Sequence, residues 1–468
     1  MPALTYVLIG ATVLYIAVMF ALAFWARRHI HSDEDYIVAG RRLPWSVSTI
    51  TILATWFGAG TLLVTADEVR LEGLWVTALE PLGPGLCLVI TALFFVKPLW
   101  QAKLLTVNDY FRIRFGRRVE LIANIYELSF LGWIAAQLLG FAQILRMFFG
   151  IPVPAGIVSL ALVAMLYTLI GGMWSVAVTD VVQLVLLIVG LLLIAATLFT
   201  ELGSGNAVTG VEKILATASP SDLTLIPTAD LQEFFNWLSL FLAGTIGLIP
   251  SQDLMQRVFA ARSVRTARGA CVISGVLYIT FGTLPVLLGL AGIHLDLDAN
   301  QSVIPTLAER FLSPVMILVF YLTVLSTVLS TLDSALLAPS SVIAQNLLRP
   351  LCRREVTTRE LVRWCVVGFT GASVGLALAG EDAFVLLESA YAPGLAPLVV
   401  LTFGIYQKQP HELAGLATLL AGILLWAIEV GWFVVTGESS PLPFPVIVLG
   451  TSVVVYVATD RWCRQRTK

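Results

Sequence analysis

Residues 326–334 read Ser-Thr-Val-Leu-Ser-Thr-Leu-Asp-Ser within a long apolar run. Thr327, Ser330, Thr331 and Ser334 recur at i, i+3, i+4 and i+7, which places them on one face of a helix. Hydroxyls and a carboxylate in lipid need partners, because no water is there to satisfy them. Such a face can offer oxygens to a hard cation such as sodium. The competing use is local: Ser and Thr in membrane helices bond back to the carbonyl at i−4. Asp180 and Asp333 are the other notable groups, with no basic residue within a turn or two in sequence. A carboxylate at membrane depth is costly and by default functional. Neighbouring carboxylates can also share a proton, so a proton stays open as an alternative ion, and Asp180 could instead cap or orient the start of its helix.

The elements that must position these groups are membrane helices. Of 468 residues, 58% are hydrophobic and only 12% charged, and a crossing needs about 20 apolar residues. The pattern predicts thirteen spans, at 4–26, 44–66, 73–97, 119–148, 152–171, 174–199, 231–256, 268–293, 313–346, 361–379, 383–407, 411–435 and 442–460. A short interfacial helix is expected at 300–312, and 201–230 is the longest stretch outside the membrane. The chain therefore reads as one transmembrane domain over 1–468, with no segment for a soluble catalytic or nucleic-acid-binding domain. The net charge of −2 is uninformative about partners, because the charges are sorted by side. The five cysteines and four histidines are scattered, without metal or redox spacing. With no His, Cys or paired-acid cluster at an interface, an enzyme is not expected. The first span lacks a basic leader and reads as a retained helix rather than a cleaved signal.

Lys and Arg set the expected topology. All but Arg70, Arg146, Lys213 and Arg310 of the 28 basic residues fall in alternate loops and the C-terminal tail. Arg257, Arg262, Arg265 and Arg268 form one such loop. The N-terminus is expected outside and the C-terminus in the cytoplasm, in the cell (inner) membrane.

Two spans carry helix-breaking residues. Span 2 holds Ala-Thr-Trp-Phe-Gly-Ala-Gly-Thr at 54–61, with Gly58 and Gly60 at mid-depth. Span 7 holds Gly244, Gly247 and Pro250 just before Ser251-Gln252-Asp253. Interrupted spans in corresponding places of two halves point to a transporter binding site; close packing is the other use of such glycines. The halves would be 44–199 and 231–407, five spans each and so opposite in topology, flanked by 1–43 and 411–468. Lesser polar candidates are Glu127 and Gln137 in span 4, Glu80 at the mouth of span 3, and Glu388 with Tyr391 in span 11. Glu80 reads as solvated near the outer interface, and Gln252, Asp253 and Gln256 as an ordinary polar helix end. Pro393 and Pro397 should kink span 11.

Four segments carry a family likeness: 54–61; 167–176 (Tyr-Thr-Leu-Ile-Gly-Gly-Met-Trp-Ser-Val) with 179–183 (Thr-Asp-Val-Val-Gln); 252–257 (Gln-Asp-Leu-Met-Gln-Arg); and 330–334 through Ser340-Ser341. Over about residues 35–410 the chain resembles the sodium:solute symporter family. It lies nearest the branch containing high-affinity choline transporters, on Ala54-Thr55-Trp56, on Phe-Phe-Val-Lys-Pro at 94–98, and on Ser-Thr-Leu-Asp-Ser. The resemblance implies an all-α polytopic membrane protein with a LeuT-type 5+5 inverted repeat, one extra N-terminal helix and two C-terminal helices. It implies sodium-coupled symport of a small organic solute into the cytoplasm by alternating access, with sodium as coupling ion and no other cofactor. The primary sodium ligands would be the carbonyls of Ala54, Phe57 and Thr327 and the hydroxyls of Ser330 and Thr331. Asp180, Asp333 and Ser334 would form a second cation or proton site. The solute would meet Trp56, Gly58, Gly60, Ser251, Phe384 and Glu388. An aromatic cage for a quaternary ammonium would use Trp56 and the positions of Pro84, Ser251 and Phe384, two of which carry no ring. Rival readings are a proton-coupled symporter of the same fold and a transporter-like sensor that needs a separate partner. The partners expected are the solute and the lipid bilayer; the sequence names neither the solute nor an oligomeric partner.

Overall fold

The computed structural model describes residues 2–293, 301–352, 356–380, 383–436, 440 and 442–466. Among them the regular structure is helical, with a single isolated bridge between Leu43 and Ala261. Eleven helices are long and apolar enough to cross a membrane, and the bent pair Trp45–Trp56 and Gly60–Glu72 makes a twelfth span. One of the eleven, Val153–Leu202, has 50 residues. At 1.5 Å per residue a straight helix of that many residues would be about 75 Å long, more than twice the roughly 30 Å hydrocarbon core. It changes direction at Gly172, whose φ of 49° and ψ of −147° are not helical. The two limbs are spans 5 and 6, and the described residues therefore hold thirteen spans. The expected interfacial helix is present as Val303–Phe311. The 201–230 stretch folds a helix, Ala207–Thr217, capped by the Asn206 side chain.

Gly172 is required at its corner. Its backbone lies in a region essentially reserved for glycine, and an added Cβ would sit 2.5 Å from the Tyr36 carbonyl oxygen. Tyr36 is held there by the short helix Asp33–Val38, which the Ser32 and Asp35 capping box starts. Gly172→Ala is expected to cost about 2–3 kcal/mol from backbone strain and the clash, and to lower the melting temperature and yield of detergent-solubilised protein. An unchanged melting curve would contradict this account of the corner.

Three spans are interrupted. The two halves of span 2 meet at 60°. Span 7 runs as Leu231–Leu242, a wide π turn at Ala243–Gly247, a three-residue turn ending on Pro250, and Gln252–Ala260. Span 11 is broken at Ala392–Gly394, between Ala383–Tyr391 and Leu395–Tyr406, where its prolines predicted a kink. Span 9 (Pro314–Val342, continuing to Leu351) packs along span 6 and against the first half of span 2. The polar groups of the three spans therefore face one another in the interior.

Candidate functional site

The break in span 2 frees backbone oxygens, and span 9 supplies hydroxyls to them. Phe57 leaves helical geometry at φ −78°, ψ 83°. The Gly58 N–H, which a continuing helix would give to the Ala54 carbonyl, goes instead to Trp56 O at 3.0 Å. The Ala59 N–H, due to Thr55, goes to Gln137 Oε1 at 2.6 Å. Ser330 Oγ lies 2.9 Å from the liberated Ala54 oxygen and 2.9 Å from the Thr327 oxygen. Thr331 Oγ1 lies 3.2 Å from the same Thr327 oxygen, and a Cβ on Gly58 would stand 3.0 Å from it. Ala54, Phe57, Thr327, Ser330 and Thr331 are all buried. Ligands about 2.3–2.6 Å from one hard cation sit roughly 3.3–3.6 Å apart when at right angles. The separations among Ala54 O, Thr327 O, Ser330 Oγ and Thr331 Oγ1, 2.9, 2.9 and 3.2 Å, are hydrogen-bond lengths a few tenths of an ångström shorter than that spacing. Local back-bonding accounts for Thr327 Oγ1, which donates to Thr323 O at 2.7 Å, and for Thr331 Oγ1, which donates to Thr327 O. Ser330, beside its local bond to Thr327 O, also reaches across to Ala54 O of another span.

A second polar cluster lies one turn further along span 9. Ser334 Oγ is its hub, 2.9 Å from Asp333 Oδ1, 3.1 Å from Thr55 Oγ1 and 3.0 Å from Ser330 O. Asp180, from span 6, accepts a short hydrogen bond from Thr51. Asp180 Oδ1, Asp333 Oδ2, Ser326 Oγ and both polar atoms of the Gln183 amide are buried without a hydrogen-bond partner. Buried oxygens left this way are expensive unless something else satisfies them.

Although no basic residue is near these acids in sequence, the fold brings one close to them. Arg257 is not a loop residue. It lies on Gln252–Ala260, fully buried, and donates to Ser334 Oγ, to Asp253 O at 2.9 Å and to Thr51 O at 3.3 Å. Asp180, Asp253 and Asp333 all lie within range of its charge. The guanidinium is thus held by the oxygens of Ser334, Asp253 and Thr51, and its charge reaches the three carboxylates without an ion pair between them among the described residues. Sequence reading missed it because Gln252–Arg257 looks the same whether a polar helix end meets water or protein. The i, i+4 spacing of Asp253 and Arg257 was the available signal.

Beside this cluster is a pocket enclosing about 750 Å³ of atom-free space, its open mouth included. Trp56, Ser251 and Asp253 line it, with Glu127, Phe130 and Trp133 of span 4, Tyr278 of span 8, and Ala390, Tyr391, Gly394 and Pro397 of span 11. Trp56 Nε1 donates to Asp253 Oδ2 at 2.5 Å. The pocket reaches Asn108 and Phe111, on the short helix that also carries Arg112 and Arg114. At its other end Glu80 is buried rather than solvated. Its carboxylate accepts from Tyr391 at 2.9 Å, Tyr278 at 2.7 Å and Thr61 at 3.0 Å. Leu387 covers Gly60 beside it. Of the expected solute residues, Trp56 and Ser251 line this pocket. Gly58 packs on Gln137 and Thr331 instead, and Gly60 lines a smaller recess with Glu80 and Leu387. Glu388 lies on the same half-helix as Tyr391 but is not among the lining residues. The side chain of Phe384 lies outside the described residues.

The profile of the "Sodium:solute symporter family" matches residues 36–422. The chain belongs to the sodium:solute symporter family. Among its relatives, the human high affinity choline transporter 1 is 28% identical over 395 residues, covering 79% of this chain and 67% of that protein. A sodium/pantothenate symporter of Haemophilus influenzae is 24% identical over 438 residues, covering 88% of each. A solved Na⁺-coupled sialic acid symporter, in a substrate-bound outward-open state, superposes with a TM-score of 0.80 at 18% identity over 98% of both chains. A nucleobase-cation-symport-1 transporter gives 0.63 at 15%, over 92% of this chain and 95% of that one. The structural likenesses establish the fold, a 5+5 inverted repeat with one helix before it and two after. Family membership makes this chain a sodium-coupled secondary transporter.

Proposed function

We propose that the chain carries a small organic solute into the cytoplasm together with sodium bound between spans 2 and 9. The observation that carries the reading is the Ala54 carbonyl, released by the break and met by Ser330. With Phe57, Thr327 and Thr331 it makes a set of neutral oxygens that can hold a monovalent ion without a fixed anion to trap it. The similarity to choline and pantothenate transporters supports a small organic solute as cargo. On the positive-inside rule, the arginine-bearing end of the pocket is cytoplasmic, in the cell membrane, with the N-terminus outside. The pocket then opens inward, and the Glu80 cluster with Leu387 on Gly60 is the closed outer gate. Residues 44–199 and 231–407 would be the two halves of the repeat, and closing of the outer gate with rocking of one helix bundle would release solute and ion inward. An inside-negative potential adds about 2.3 kcal/mol per charge per 100 mV.

Asp180, Asp333 and Ser334 are proposed as a second cation site, supported by the unsatisfied oxygens around them. The same oxygens favour a second reading, in which a proton is the coupling ion. Proteoliposomes given an inward sodium gradient should accumulate a labelled solute from a panel of organic cations, amino acids, sugars and carboxylates. Uptake driven by a proton gradient alone, with none under sodium, would overturn the sodium reading. Asp180→Asn is expected to lower uptake at least tenfold while the yield of folded protein is kept. An equal loss of yield would return Asp180 to a structural role.

A further inference from the structure

The charge balance of the pocket wall points to one class of solute. Three carboxylates line it, Glu80, Glu127 and Asp253, and among the described residues no Lys, Arg or His does. Two of the three are accounted for. Glu80 is met by three hydroxyls, and Asp253 by the Trp56 indole N–H, with Arg257 behind it. Glu127 is different. It is 5% exposed, and its Oε2 is buried without a hydrogen-bond partner. It sits where span 4 tightens into a 3₁₀ stretch, Asn124–Ser129, which brings Tyr126, Glu127 and Ser129 to the wall together. Trp56, Phe130 and Trp133 line the same space.

We infer that the pocket is built for an organic cation that carries at least one N–H, a protonated primary, secondary or tertiary amine, whose N–H bonds Glu127 while its carbon body lies on Trp56 and Trp133. The inference rests on the proposed reading of this pocket as the solute site. An anion would meet three carboxylates and no counter-charge. A neutral solute could hydrogen-bond to Glu127 but would gain no charge-assisted bond there. A quaternary ammonium has the charge and suits the aromatic faces, but has no proton to give Glu127. A hydrogen bond between charged partners is about twice as strong as a neutral one.

The test is a binding series on the purified wild-type protein, read by thermal shift in sodium at neutral pH. The probes are ethanolamine, N,N-dimethylethanolamine, choline, its uncharged isostere 3,3-dimethylbutan-1-ol, and glucose. Both amines are expected to bind at least tenfold more tightly than choline, and the two neutral probes still more weakly. Choline, the alcohol or glucose binding as tightly as the amines would overturn the inference, as would amines that produce no shift at millimolar concentration. Glu127→Gln should bring the amine-to-choline ratio to within threefold; a ratio kept at tenfold would move the contact elsewhere. The wild-type series needs no variant and stands if that one fails to fold. Stabilisation by sodium without any solute is read separately. Its absence would count against sodium coupling and leave the amine preference to be judged on its own data.

Discussion

Replacing Ser330 and Thr331 together by alanine is expected to raise the sodium concentration for half-maximal uptake about a hundredfold. Each hydroxyl is one uncharged ligand to an ion, comparable to a hydrogen bond to a charged group at about 1.5 kcal/mol or more. Two such losses make about 3 kcal/mol, or roughly two powers of ten. The helix itself should survive, since alanine is the best helix former and Thr331 Oγ1 otherwise bonds only within its own turn. Thr331→Ser keeps an oxygen and should shift the sodium dependence far less. The measurement is initial uptake against external sodium in proteoliposomes. A double variant with wild-type sodium dependence would remove the ion from this face of span 9.

Arg257→Met is expected to be the most damaging single change in the interior. It deletes the buried cation whose charge reaches Asp180, Asp253 and Asp333, and it leaves Ser334 Oγ, Asp253 O and Thr51 O without their donor. Removing one partner of a buried ionic cluster typically costs about 3–5 kcal/mol. Little monodisperse protein should then survive size-exclusion chromatography of the solubilised membrane. Arg257→Met combined with Asp333→Asn should recover part of the yield, because neutralising both signs is far cheaper than stranding one. A single Arg257→Met with wild-type yield and melting temperature would show that the guanidinium is not what holds the three acids together.

The sequence was most legible where a local signal has a single structural answer. Apolar runs and loop charge set thirteen spans, with the turn between spans 5 and 6 falling at Gly172. Gly58 and Gly60 marked the break, and the 327–334 spacing marked the hydroxyl face. Side chains whose meaning depends on a distant partner were not legible. Arg257 follows a polar stretch at a helix end, and only its contact with Thr51, 206 residues away, makes it an interior charge. Glu80 looked like an interfacial acid until Tyr278 and Tyr391, from two other spans, closed on it. In span 11 the break at Ala392–Gly394 restarts the helix, and Gly394 and Pro397 beyond it line the pocket while Glu388 before it does not. Periodicity cannot carry a phase across such a break, because the helical repeat restarts on the far side.

The most direct test is a high-resolution density map of the sodium-saturated protein. A single peak is expected between spans 2 and 9, with the carbonyls of Ala54, Phe57 and Thr327 and the hydroxyls of Ser330 and Thr331 each about 2.3–2.6 Å away. A map with sodium bound elsewhere, and with Ser330 still bonded to the Ala54 carbonyl, would contradict that placement.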